Sequence, residues 1–125
     1  MKIRSIDHIV IPVSNIVRSF SFYVDILDMV PDDRNGRYAV KFGTQKINLH
    51  VGKAQFLPAA CHPEFGSADL CLLADGDITG IKEELEKKGV VIEEGIVRRN
   101  GAQGLINSIY LRDPDGNLIE ISTLI

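Results

Sequence analysis

This 125-residue sequence predicts an α+β protein of two tandem βαβββ modules, about residues 1–52 and 66–125, folded as a curved, cup-like mixed sheet. Three observations predict it. The same order of strand and helix patterns is written twice. When the two copies are overlaid, His8-Ile9-Val10-Ile11 falls on Asp69-Leu70-Cys71-Leu72, and Ile47-Asn48-Leu49-His50 falls on Ile119-Glu120-Ile121-Ser122. Polar side chains also recur at matching places inside apolar strands.

The elements follow in order. Ile6 to Val13 is rich in β-branched residues and reads as a strand. Ser14 or Asn15 then caps a helix whose Ile16, Phe20, Tyr23 and Leu27 form one face. Three short strands come next: Met29 to Asp32, Arg37 to Phe42 after an Arg34-Asn35-Gly36 turn, and Lys46 to Val51 after Gly43. A loop with Pro58 and Pro63 leads to Ala68–Leu73, where the pattern restarts. Asp77 caps the second helix, Ile78, Ile81 and Leu85 form its stripe, and Gly89 ends it. Val90 to Glu94, Ile106 to Leu111 and Leu118 to Thr123 complete the second module, with Arg98-Arg99-Asn100-Gly101 read as an exposed turn.

Composition narrows the function. A length of 125 residues with 45% hydrophobic content suits one compact domain, 1–125. A formal charge of −3 leaves no basic surface for nucleic acid or an acidic membrane, and no apolar run is long enough to span a bilayer. The chain opens on a strand rather than a secretory signal, so the cytoplasm is the expected location. Cys71, in an apolar run, reads as a small buried hydrophobe.

Side chains alternate across a strand, so Asn48 shares a face with His50, Glu120 with Ser122, and Asp69 with Cys71. If the modules bend into a common sheet about a pseudo-twofold axis, His8, Asp69, Asn48 or His50, and Glu120 come together. A histidine and carboxylates inside apolar strands suggest a metal site. Plainer roles are also open. Glu120 could pair with Arg112 or Arg4, His8 could be a hydrogen-bonded structural residue, His50 could close its strand, and Asp69 could solvate the start of its own. His62 is expected on the surface. The paired arginines suit a carboxylate or phosphate, which makes Arg98 a substrate-binding candidate.

The doubled unit, the opening Asp7-His8, the Phe22-Tyr23 and Leu27-Asp28-Met29 signature, and the closing Asp113-Pro114-Asp115-Gly116-Asn117-Leu118-Ile119-Glu120 resemble the vicinal oxygen chelate superfamily of glyoxalases, bleomycin-resistance proteins and dioxygenases. Lys46-Ile47-Asn48-Leu49-His50, His62-Pro63, Asp69-Leu70-Cys71-Leu72 and Ile92-Glu93-Glu94-Gly95 further resemble the glyoxalase domain-containing protein 5 group. That group includes virulence-associated, lactoylglutathione lyase-like proteins.

The resemblance implies a divalent metal, zinc, nickel, manganese or iron(II), with His8, His50, Asp69 and Glu120 as ligands and Glu120 also catalytic. It implies a glyoxalase-like lyase or isomerase acting on a small 2-oxo, 2-hydroxy acyl or hemithioacetal substrate, with glutathione or another thiol as a possible cofactor and Asn48 beside the substrate. Homodimerisation is expected as well. The sequence departs from the glyoxalase I pattern at Asn48 and Asp69, where that group carries a glutamate or glutamine and often a histidine. The alternatives are a metal-free ligand-binding protein of the bleomycin-resistance type and an iron(II) ring-cleaving dioxygenase.

Overall fold

A computed structural model describes residues 1–125 and divides them into two compact units, 1–65 and 66–125. In the first unit, β1 (His8–Val13) leads to α1 (Ile16–Phe20), then β2 (Val30–Asp32), β3 (Tyr38–Phe42) and β4 (Gln45–Val51). In the second, β5 (Asp69–Leu73) leads to α2 (Ile78–Lys87), β6 (Glu94–Gly101), β7 (Gly104–Arg112) and β8 (Leu118–Leu124). The strands form two four-stranded mixed sheets, one per unit, ordered β1-β4-β3-β2 and β5-β8-β7-β6. Each pairs its first and last strands in parallel and the others antiparallel, so the repeat predicted from the sequence is present strand for strand.

Asn15 caps α1 by accepting a hydrogen bond from the Arg18 amide at 3.0 Å. The chain then widens into π-type turns over Ser21–Ile26, in which the Leu27 amide reaches back five residues to the Phe22 carbonyl. Widening rotates the apolar stripe, so Phe22 and Tyr23 are the residues buried, while Ile16, Phe20 and Leu27 of the expected face are only half-buried. Phe22 and Tyr23 join Ile11, Val13, Val40, Ile47 and Leu49 in the core of the first unit. In the second, α2 packs on β7 and buries Ile78 and Leu85, with Ile109, Leu111, Ile119 and Ile121 in the same core. No helix is long and apolar enough to cross a membrane.

One strand differs from the sequence reading. The run at Val90–Ile92 is not a strand, and Val91 is exposed; β6 begins at Glu94 and carries Arg98 and Arg99. The turn falls instead at Ala102-Gln103, where Gly101 pairs with Gly104. A tight reversal closed by Gly104 at φ +135° satisfies more ladder bonds than a turn at Asn100-Gly101.

The Asp113–Asn117 turn is a side-chain clamp. Asp113 Oδ1 accepts the Asp115 and Asn117 amides, both at 2.9 Å, and its Oδ2 accepts Asn117 Nδ2 at 2.7 Å. Asn117 Oδ1 then accepts the Ala68 amide at 2.9 Å, and the Leu118 amide donates to the Ala68 carbonyl. The entry to β5 is thereby fastened to the entry to β8. The first unit does the same with Gln45, whose Nε2 donates to the Ile6 carbonyl at 2.8 Å while the Lys46 amide donates to the Asp7 carbonyl. Asn117→Ala strands the Ala68 amide and removes one of the donors to Asp113, and an unsatisfied buried polar group costs about 1–3 kcal/mol. A loss of about 1–3 kcal/mol in urea unfolding is expected; a change within about 0.5 kcal/mol, as for a neutral surface substitution, would show that the clamp carries no stability.

Candidate functional site

In the second unit the sheet residues that alternate with the core line a cavity of about 610 Å³. Register places Glu120 of β8 between Cys71 of β5 and Tyr110 of β7. All three line the cavity, with Arg99 and Asn100 of β6. The Ser108 hydroxyl donates to Glu120 Oε2 at 2.6 Å, and Ser122 Oγ lies 3.3 Å from the same oxygen. The two buried hydroxyls are 2.7 Å apart, and Ser122 Oγ is 3.2 Å from Cys71 Sγ.

No cation neutralises Glu120. Arg112, the salt-bridge partner a structural reading would choose, instead gives both guanidinium branches to Glu93 at 3.1 Å. Arg99 is held across the cavity rim, with Nε donating to the Tyr110 hydroxyl at 3.1 Å and Nη2 to Glu94 at 3.2 Å. Glu120 is therefore a half-buried carboxylate on a cavity wall whose charge is supported by the two serine hydroxyls and the Cys71 thiol.

Two expectations change here. Cys71 is not a buried hydrophobe but a free thiol on the cavity wall. Partial burial raises its pKa, and the nearby Glu120 and Asp69 charges add to the rise. Arg98 does not line the cavity, whereas Arg99 does, because neighbouring strand residues point to opposite faces. Asp69 is exposed at the start of β5, opposite Leu118 and one step diagonal from Glu120.

In the first unit His8, Asn48 and His50 share a face, with Lys46 opposite His8, Val10 opposite Asn48, and Pro12 opposite His50. His8 and His50 thus stand four positions apart along paired strands, about 13 Å at the rise of a β-strand. His8 Nδ1 lies 2.8 Å from Asp7 Oδ1, a bond that also lowers the Asp7 pKa. His50 lies beside Arg37 and edge-on to Phe56, with ring centroids 5.1 Å apart. Burial first and Arg37 second lower its pKa.

For a divalent metal this donor set fits in part. His8 has a carboxylate behind one ring nitrogen, the arrangement that orients metal-binding imidazoles, and Glu120 and Asp69 are oxygen donors without cationic partners among the ion pairs. His50 fits poorly, because its cavity is lined by Arg34, Arg37 and Lys46, whose charge repels a metal ion. Within neither unit do three histidine, cysteine, aspartate or glutamate side chains gather as one ligand group.

Tyr110 on the cavity wall and Ser108 buried behind Glu120 went unread in the sequence, and Arg99 was read only as one of the paired arginines. Counting back from the five-residue Asp113–Asn117 turn puts Ser108 and Tyr110 across from Ser122 and Glu120, a signal that needs the hairpin register.

A family model for the glyoxalase/bleomycin resistance protein/dioxygenase superfamily matches residues 5–121. The chain belongs to that superfamily. It is 47% identical over 123 residues to virulence protein STM3117 of Salmonella typhimurium, covering 98% of this chain and 85% of that protein. The crystal structure of that relative superposes with a TM-score of 0.96 and 46% identity, covering 100% of both chains. The glyoxalase domain-containing protein RDO1 of Mycosarcoma maydis is 42% identical over 98% of this chain and 70% of its own length. Two distant structures share the fold: a lactoylglutathione lyase from Agrobacterium tumefaciens (TM-score 0.75, 20% identity, 98% and 95% coverage) and the antibiotic-binding protein TnmS3 from a Streptomyces (0.77, 23%, 100% and 99%).

Because a thiol with a raised pKa carries little thiolate at neutral pH, Cys71 is expected to react with iodoacetamide more slowly than free cysteine. Peptide mass spectrometry over time reads this, and labelling as fast as the free amino acid would contradict it. His50 predicts a pH effect of defined sign. Its folded pKa lies below the unfolded value near 6.5, so the unfolded chain takes up the proton first and stability falls as pH drops below about 6.5. His50→Gln should flatten the change in thermal midpoint between pH 7 and 5, and an unchanged slope would remove His50 as a cause.

Proposed function

We propose that this protein is a divalent-metal-dependent lyase or isomerase of the glyoxalase type, acting on a small oxygenated substrate of 2-oxo, 2-hydroxy acyl or hemithioacetal character. The observation that carries the reading is Glu120, a half-buried carboxylate on a cavity wall, hydrogen-bonded by Ser108 and with no cation against it. A carboxylate so placed is available to bind metal or move a proton rather than to hold a salt bridge.

In this reading Glu120 takes a proton from carbon next to a carbonyl and returns it to the neighbouring carbon. Ser108 holds the receiving carboxylate in position. Tyr110, steadied by Arg99, stands across the ladder from Glu120 to orient a substrate oxygen. The metal, when bound, supplies Lewis-acid stabilisation of the charge that develops on substrate oxygen. His8, Glu120 and Asp69 are its proposed ligands, and Asn48 a contact to substrate. A volume of about 610 Å³ lies in the usual range for small-molecule sites, and a thiol adduct of the substrate fits that range. Pairing into a homodimer in the cytoplasm belongs to the same reading.

A second reading, a metal-free ligand-binding protein, is favoured by one observation: no three ligand-type side chains gather within either unit. One experiment separates the two. Protein purified without chelator and soaked with zinc, nickel, manganese or iron(II) is measured for metal per chain by elemental mass spectrometry, beside His8→Ala and Glu120→Gln. Near-stoichiometric metal lost in both variants is expected. Among assayed substrates, Glu120→Gln should lower turnover by about 10²–10⁴-fold, the usual contribution of a positioned acid–base group. An absence of metal under every soak would favour the binding protein.

A further inference from the structure

A second cavity lies wholly in the first unit, and the chemistry above leaves its cations unused. It encloses about 330 Å³, and its walls carry three cations, Arg34, Arg37 and Lys46, against one carboxylate, Asp32. The chain as a whole is negative, at −3, so this concentration of positive charge is local. Asp32 is already committed. It takes Arg34 through Nε at 3.0 Å and Nη2 at 2.8 Å, and Lys41 at 3.2 Å, and those bonds hold its pKa far below the ordinary carboxylate range.

Arg37 and Lys46 are not committed in this way, although Lys46 lies near enough to the exposed Asp7 carboxylate to help lower its pKa. Neither forms an ion pair, and both border the same cavity. Arg37 is also held in place, with its guanidinium carbon 4.0 Å from the centroid of the Phe56 ring. A cation stacked on an aromatic face keeps its N–H edge free for an acceptor and loses less rotamer freedom on binding. Phe56 packs edge-on against His50 at 5.1 Å, so one ring positions both the guanidinium and the imidazole. Asn48 adds an amide. A planar fork, an ammonium, an amide and an imidazole around one hollow are donors in search of several oxygens.

We propose that this cavity is an oxyanion-binding site, in which Arg37, Lys46, Asn48 and His50 hold a carboxylate or phosphate group, with Phe56 as the positioning residue for Arg37. The site needs neither the metal nor Glu120, and it shares only Asn48 with the lyase reading, where that amide touches substrate. Electrostatic attraction supplies much of its affinity, which therefore weakens with added salt.

The test follows the His50 ring signals by NMR, identified by their loss in His50→Gln, at fixed pH and low ionic strength. Inorganic phosphate and acetate are titrated separately. Wild-type protein should give a saturable shift with at least one. Phosphate alone assigns a phosphate site, acetate alone a carboxylate site, and both a general oxyanion site. Arg37→Met and Lys46→Met should each weaken binding by about tenfold or more, the size expected when a charge-assisted bond is removed. Phe56→Ala should weaken it less. With no metal added, Lys87→Met, a surface control on α2, should bind as wild type. Either cation variant alone suffices if the other fails to fold, as judged by circular dichroism. No saturable shift with either anion, or equal affinity in Arg37→Met and Lys46→Met, would overturn the proposal.

Discussion

The fastening of each unit's last strand to the residues just before its first is the constraint on which the rest depends. In the second unit, Asp113 gathers the turn and Asn117 passes that order on to Ala68, 49 positions away in sequence. A parallel strand pair has no hairpin to set its register, and a slip of one residue would turn every side chain to the other face. Fixing Ala68 against Leu118 settles Cys71 opposite Glu120, and the same turn settles Tyr110 and Ser108 on the other side. Gln45 performs this service in the first unit and so sets Asn48 and His50 on the face they share with His8.

With register fixed, the two sheets specialise by charge. The second keeps Arg112 occupied on Glu93 and Arg99 on Glu94 and Tyr110, and leaves a carboxylate facing its cavity. The first keeps its aspartate occupied and leaves cations facing its own. Half-burying the Glu120 charge is costly, whereas Arg37 stays exposed, and short polar contacts or an aromatic ring steady each of them. The hydroxyls of Ser108 and Ser122 do so for Glu120, and Phe56 does so for Arg37.

Much of this was legible in the sequence. The alternation of apolar and polar residues and the doubled pattern were enough for the βαβββ order, the sheet faces and the singling out of Glu120, His8 and Asn48. Three features were not. The π-type turns after α1 move burial to Phe22 and Tyr23, because hydrogen bonding rather than composition decides where a helix widens. The start of β6 follows its pairing with β7, and this overrides the β-branched residues Val90, Val91 and Ile92. The choice of Arg99 over Arg98 follows from that same register, since adjacent arginines in a strand are indistinguishable until one knows which face is which. Cys71 misled for a related reason: an apolar run looks buried throughout, yet in β5 every second residue is turned outward.

The two buried serines beside Glu120 have a further consequence. Three oxygens and a sulfur lie in sequence, Glu120 Oε2, Ser108 Oγ, Ser122 Oγ and Cys71 Sγ, joined by contacts of 2.6, 2.7 and 3.2 Å. The hydroxyl hydrogens can point along that row in either direction. While Glu120 is ionised they point toward it, and once it gains a proton they can reverse, Ser108 turning to Ser122 and Ser122 to the thiol. A proton brought to the carboxylate from outside the row is thus accommodated by turning the hydroxyl and thiol hydrogens alone, with every heavy atom left where it stands.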